Sequence, residues 1–471
     1  MAGEYYQKIK THFLFPPTKG QDELISLLAS YVFEEKTDDI FMIRGYAGTG
    51  KTSLVSALVR TLRDHRVPVV LMAPTGRAAK VLSAYSSYPA STIHRRIYFA
   101  ARSHDGNMVL KLKENKYRNA VFLIDEASMI PDRRSNEEGG GRILLDDLMN
   151  YVFSGENCKL ILVGDVAQLP PVGLSVSPAL NSVYLKNAYK NDVRKFELTE
   201  VVRQKKTSGI LENATRLREV MLSKNYAFPF FTTYGFKDVR RIDSYELPEE
   251  IMSAYDTVGQ DDTVLITRSN KRAYQYNTAI RNRILQRQGE IEAGDILMIV
   301  KNNYYWLEEA DGAGFLANGD LVEVMSLNST EEKHGFRFAD ADVRLIDYPD
   351  EPEINVRLLL DTLSAEGPAL SRSQNNELYN SVLDSYMGQG DMKTRRAKVR
   401  NDPYFNALQV KFAYAMTCHK TQGGQWDTVF IDQGFIADDK VDLDYLRWLY
   451  TAVTRATGRV FLINFPEEMF D

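Results

Sequence analysis

Short apolar runs rich in β-branched residues, each bounded by Gly, Asp or Pro, recur through the first part of the chain at residues 40–43, 69–72, 121–124 and 160–163. Between them the apolar positions change to a helical period, as in 53–64. A run without polar alternation fits a strand covered on both faces, so this order predicts a doubly wound parallel sheet with helices between its strands. A second series starts at 262–266 and resumes at 428–431 and 459–463. Between its halves, from 318 to about 410, lie shorter alternating strands (321–325, 355–360) and then a polar, charged helical stretch. The pattern predicts an α/β protein with two such domains, each interrupted by an insertion. The first comprises 1–92 and 119–204, with 93–118 inserted. The second comprises 205–317 and 411–471, with 318–410 inserted as a small β unit carrying a basic helical arm. Ligands of such sheets sit at the carboxyl ends of the strands.

The residues at those ends carry chemistry. GYAGTGKT (45–52) follows the first run and opens a helix. Gly48, Thr49 and Gly50 can turn several N–H groups onto a polyphosphate without side-chain clash. Lys51 supplies a point charge for the outer phosphates, and the Thr52 hydroxyl suits Mg²⁺. The run 121–124 delivers Asp125 and Glu126 to its C-terminal end. There Asp125 would hold the metal through its water shell, and Glu126 would orient and deprotonate the attacking water. The third strand ends in GDVAQLPPV (164–172), where Gln168 can both donate and accept beside a terminal phosphate. ATP and Mg²⁺ are the expected cofactors.

Composition narrows the picture. The chain has 471 residues, 44% hydrophobic and 26% charged, the balance of an ordinary globular protein with ample length for a core. Two cysteines, Cys158 and Cys418, cannot make a disulfide framework, and no CxxC or His/Cys cluster offers a zinc or iron–sulfur site. The N-terminal residues lack the apolar core of a secretory signal, and no membrane-length apolar stretch occurs, so a reducing cytoplasm or a nucleus is the expected setting. The net charge of −5 excludes a uniformly basic nucleic-acid coat but not a local basic groove. KTRRAKVR (393–400) reads either as a solvated helix face or as a phosphate-contacting arm through Lys393, Arg395 and Arg396.

The ordered set GYAGTGKT, APTGRAAKVL (73–82), DEAS (125–128), GDVAQLPPV, VVRQ (201–204), TCHKTQGGQW (417–426) and YTAVTRA (450–456) resembles the superfamily 1B DNA helicases, the 5′-to-3′ branch with RecD-like, Pif1-like and Dda-like members. The resemblance implies two RecA-like domains with a nucleotide between them, and an SH3-like later insertion. Gln21 matches the glutamine that reads the adenine edge. Arg203 and Arg455 match two arginines that reach the terminal phosphate from the second domain. Gln425 stands where related helicases often carry a ribose-binding Glu. Thr75, Arg77, Thr92 and His94 in the first domain, and Asn270, Lys271, Thr417, His419 and Lys420 in the second, would line single-stranded DNA. The 93–118 insertion, with Tyr98, Phe99, Met108 and Tyr117, would form either a strand-parting wedge or a small satellite core. The expected partners are single-stranded DNA, its junctions with duplex, and replication or recombination proteins, with the chain acting as a monomer. The alternative is a DNA-stimulated ATPase that displaces proteins, as a subunit of a recombination or repair complex, and unwinds weakly.

Overall fold

The computed structural model describes residues 2–13, 15–34, 39–102, 108–134, 141–201, 208–307, 315–365, 367–436 and 441–471. The predicted runs form the middle of a six-stranded sheet ordered Ala90–Thr92, Val69–Ala73, Val121–Ile124, Lys159–Gly164, Asp39–Gly45 and Asp192–Leu198, with every neighbouring pair parallel. Its central strands are buried throughout, as two covered faces require. The same order sets the carboxyl ends of Val121–Ile124, Lys159–Gly164 and Asp39–Gly45 side by side. The three motifs that follow those strands therefore meet.

The second sheet runs Ala415–Thr417, Thr263–Thr267, Trp426–Asp432, Ala456–Ile463 and Val239–Ile242, again parallel. A closed barrel of Ile296–Ile299, Leu321–Lys333, Phe336–Leu345, Ile354–Leu359 and Leu408–Phe412 interrupts this domain. The barrel takes its first strand ahead of the expected boundary at 318, and its last straddles the one near 410. The reason is physical: Ile296–Ile299 is an apolar run like those of the sheets, and only its antiparallel pairing with Leu321–Lys333 and Leu408–Phe412 assigns it to the barrel. The helices Arg372–Ser385 and Met392–Arg400 pack beside the barrel around Phe338, Leu378, Val382 and Val399.

The first insertion is the antiparallel hairpin Tyr98–Arg102 with Met108–Leu112. Two of its expected wedge aromatics belong to the core instead. Tyr98 is buried and donates to Asp147 Oδ2 at 2.7 Å, and Tyr117 packs edge-on to Phe122. Phe99, 37% exposed, stays available to a partner. Cys158 and Cys418 are both buried and unpaired.

Candidate active site at the seam of two domains

The phosphate loop links Asp39–Gly45 to the helix Lys51–Asp64. Gly48 and Gly50 have φ of +75° and +84°, conformations that side-chain-bearing residues adopt only with strain. The Lys51 ammonium donates to the Gly45 and Tyr46 carbonyls at 2.7 and 3.0 Å, so the loop is stapled by the group that serves it. Gln21, 2% exposed, is not the surface polar residue its composition suggests. It sits at the third position of the helix Lys19–Phe33, where its Oε1 accepts from the Thr18 N–H in a capping box. Its Nε2 donates to the Thr49 carbonyl at 2.9 Å, which ties this helix to the phosphate loop.

A cavity of about 1250 Å³ opens over the loop. Gln21, Lys51, Thr52, Asp125, Glu126 and Gln168 line it from the first domain, and Gln425 and Arg455 from the second. Asp125 is buried. Desolvation, and then the neighbouring Glu126 charge, push its carboxyl up to about 6 against the hydrogen bonds that favour its ionised form. One oxygen accepts from the Tyr85 hydroxyl at 2.5 Å and the other from the Glu126 N–H at 2.8 Å. Glu126 lies in the left-handed region, φ +52°, strain of the kind that concentrates at working sites. Gln168 is buried, and its Oε1 has no hydrogen-bond partner among the described residues.

Arg455 crosses the seam. It is 2% exposed, is held by the Thr451 and Gly424 carbonyls at 3.2 and 3.1 Å, and brings Nη1 to 3.6 Å from Glu126 Oε1. Arg203 lies outside the described residues. A residue the motif reading missed joins the domains more tightly. The buried Tyr450 hydroxyl accepts from the Ala47 N–H of the phosphate loop at 2.8 Å and donates to Asp165 Oδ2 at 2.6 Å. Burial and the Asp165 charge hold that hydroxyl protonated. Beside it, the Leu169 N–H donates to Thr451 Oγ1 at 2.9 Å, and Gln422 Nε2 donates to the Leu169 carbonyl at 2.6 Å. The available signal was its place as the first residue of YTAVTRA, where only the arginine had been given a role.

The expected strand contacts divide. Thr75 and Thr92 cap the helices Gly76–Ser86 and Ile93–Ile97, and with His94 they line a groove closed on its other side by Asn302 and Asn318 of the barrel domain. Thr417 and His419 line a second groove with Arg268 and the exposed Phe435. Asn270, Thr417 and Lys420 border a small cleft, and Lys271 is exposed beside them. Arg77 departs from the expectation. Its side chain is 11% exposed, pairs with Asp347 of the barrel at 3.3 Å, donates to the Gln425 and Asp261 carbonyls, and lies over the Trp426 ring. It is an interdomain tie in this arrangement because a guanidinium satisfies several acceptors at once. Nearby, Arg95 pairs with Asp320 and Glu351 and stacks 3.9 Å from the Tyr348 ring. On the basic helix, Lys393 and Arg396 are exposed, whereas Arg395 donates to the Leu383 carbonyl and helps pack the arm.

Two parallel sheets that share one phosphate-loop cavity, with an arginine reaching over from the second, define a two-domain P-loop nucleotide hydrolase of the motor type. Comparison with known proteins agrees: an AAA domain model matches residues 19–228 and a UvrD-like helicase C-terminal domain model matches 412–463. The ATP-dependent DNA helicase dda of Enterobacteria phage T4 is 25% identical over 95% of this chain and 99% of its own length. The ATP-dependent RecD2 DNA helicase of Deinococcus radiodurans is 28% identical over 94% of this chain and 50% of its own. A Bacteroides Pif1 helicase crystallised with ADP-AlF3 and ssDNA aligns over 97% of this chain and 95% of that one, with 15% identity and a TM-score of 0.49. Over nearly its whole length the chain is thus similar to ATP-dependent DNA helicases.

Proposed function

We infer that the protein is an ATP-dependent DNA helicase that moves 5′ to 3′ on single-stranded DNA and separates the duplex ahead of it. The observation that carries the reading is the approach of Arg455 to Glu126 across the domain seam. An arginine there can stabilise the charge of the transferring phosphoryl group, an effect worth ~10³–10⁵ in rate. Because it comes from the opposite domain, turnover requires the cleft to close, and repeated closure moves one strand grip relative to the other.

The nucleotide would lie with its phosphates on the loop N–H groups of residues 48–52 and its sugar toward Gln425. Glu126 would take a proton from the attacking water, and Gln168 would sense the terminal phosphate. Thr52 and Asp125 face the same cavity, and their hard oxygens suit Mg²⁺, which would neutralise phosphate charge when bound. Small hydroxyls and imidazoles along the two grooves suit contact with phosphates and bases without reading sequence, as a motor that passes over any base requires. Stacking averages ~1.4 kcal/mol per base-pair step, a modest load for one nucleotide cycle.

The test compares ATP-dependent unwinding of otherwise identical 5′-tailed and 3′-tailed duplexes. Unwinding confined to the 5′ tail is expected. Unwinding confined to the 3′ tail refutes the polarity. ATP turnover and translocation without unwinding on either substrate would favour the protein-displacing alternative.

A further inference from the structure

Behind the catalytic residues lies a second cavity, of about 300 Å³, that no step described so far uses. Arg44, Ser128, Asp165, Gln168 and Ser177 line it from the first domain and Arg447 from the second. Asp165 and Gln168 also line the nucleotide cavity, so they form the partition between the two spaces. The two differ in how firmly they are held. Both Asp165 oxygens are engaged, by the Tyr450 hydroxyl and the Ala167 N–H. The Gln168 oxygen is buried and has no partner among the described residues. Gln168 is therefore the half of the partition that can swing.

The chamber wall is polar in an unusual way. Arg44 Nε, Ser128 Oγ and Ser177 Oγ are all buried and, like Gln168 Oε1, lack a partner among the described residues. Buried polar atoms are ordinarily satisfied, so four on one small cavity mark a place built for a polar guest. Two guanidinium groups and two hydroxyl donors select an anion. Asp165 is the single acid among the described lining residues, and its oxygens are already occupied. A protonated phosphate oxygen could donate to Gln168 Oε1.

We propose that this chamber receives the inorganic phosphate split from the nucleotide and releases it on the face away from ADP. The inference rests on the reading that the chain hydrolyses ATP. Phosphate would pass Gln168 while Arg455 still covers the nucleotide side, so departure of the anion need not wait for the domains to part.

The test follows bond cleavage by rapid quench and free phosphate by a fluorescent phosphate-binding reporter, in single turnovers with single-stranded DNA. Ser177→Met fills the chamber from its far wall. Cleavage should stay within about twofold of the parent, while phosphate appears at least tenfold later. Arg44→Met keeps the space and removes a cation, so added inorganic phosphate should inhibit turnover at least fivefold more weakly. Phosphate release that keeps pace with cleavage in Ser177→Met, whether or not cleavage itself slows, overturns the proposal, as does unchanged phosphate inhibition in Arg44→Met. A parent protein that cleaves no ATP would instead refute the hydrolase reading.

Discussion

Replacing Tyr450 by Phe removes one oxygen and keeps the ring that fills the seam. That oxygen makes two contacts between domains: it donates to the Asp165 carboxylate and accepts from the Ala47 N–H. A hydrogen bond to a charged group contributes about 1.5–3 kcal/mol, and a buried N–H left without a partner costs about 1–3 kcal/mol. Water entering the vacated position would recover part of this, leaving roughly 3 kcal/mol. Both contacts exist only when the domains are apposed, so the loss falls on the closed state. At about 1.4 kcal/mol per factor of ten, closure should weaken by roughly a hundredfold. Since Glu126 and Arg455 come together only on closure, kcat should fall by up to that factor while KM for ATP changes little, because the phosphate loop itself is intact. Energy transfer between dyes on cysteines introduced at Lys190 and Tyr245, one exposed site on each domain, reports closure directly. The native cysteines are buried and should not compete for label. A variant whose closed population and kcat both lie within twofold of the parent would show that the Tyr450 hydroxyl does not link the domains.

Other outcomes follow from the same geometry. Lys51→Ala should abolish ATP turnover and leave strand binding nearly intact in a filter or anisotropy assay; the reverse pattern would contradict the assignment of the loop. Arg455→Ala should lower kcat by ~10³ or more with a small change in nucleotide affinity, whereas equal losses in both would mean that it serves only ground-state binding. Asp320, buried at the junction of barrel and first domain, has its carboxyl pushed up to about 6 chiefly by desolvation. A folded-state value above the ordinary 3.8 means that the native chain binds the extra proton, so this group's contribution to stability is present at low pH and is lost as pH rises through about 6. The gain in melting temperature from pH 7 to pH 5, relative to the rest of the titration curve, should disappear in Asp320→Asn. Lys393→Ala with Arg396→Ala should reduce the slope of strand affinity against salt by about 0.7 per charge, and an unchanged slope would leave that helix as a solvated face.

Much of this architecture was legible because strands buried on both faces leave continuous apolar runs, and the motifs follow them directly. The edges were harder to read. Asp192–Leu198 carries Asp, Arg, Lys and Glu and buries only Leu198, so nothing in its pattern separates it from a loop until it pairs with Asp39–Gly45. Ile296–Ile299 was not singled out as a strand, and its pairing with Leu408–Phe412, more than a hundred residues on, leaves no local trace. Among the candidate site residues, spacing sufficed to bring Lys51, Asp125 and Glu126 to one cavity, since all three come from one domain. It failed for Arg77, whose partners come from the barrel and the second sheet, and for Tyr450, whose importance lies in one oxygen placed between two loops. Tyr98 and Tyr117 show the same limit from the other side: an aromatic in an inserted segment looks alike in sequence whether it faces a partner or a core.

The ties of Arg77, Lys80 and Arg95 to Asp347, Ile346 and Asp320 flank the groove that Thr75, Thr92 and His94 share with the barrel domain. They act as a clasp on a bracelet. A thread lying in that groove can slide lengthwise while the clasp is shut, but sideways escape requires several ionic contacts to break together. How far such a machine travels before falling off would then be set by the strength of its fastening, and its tenacity could be tuned at positions that never touch the thread.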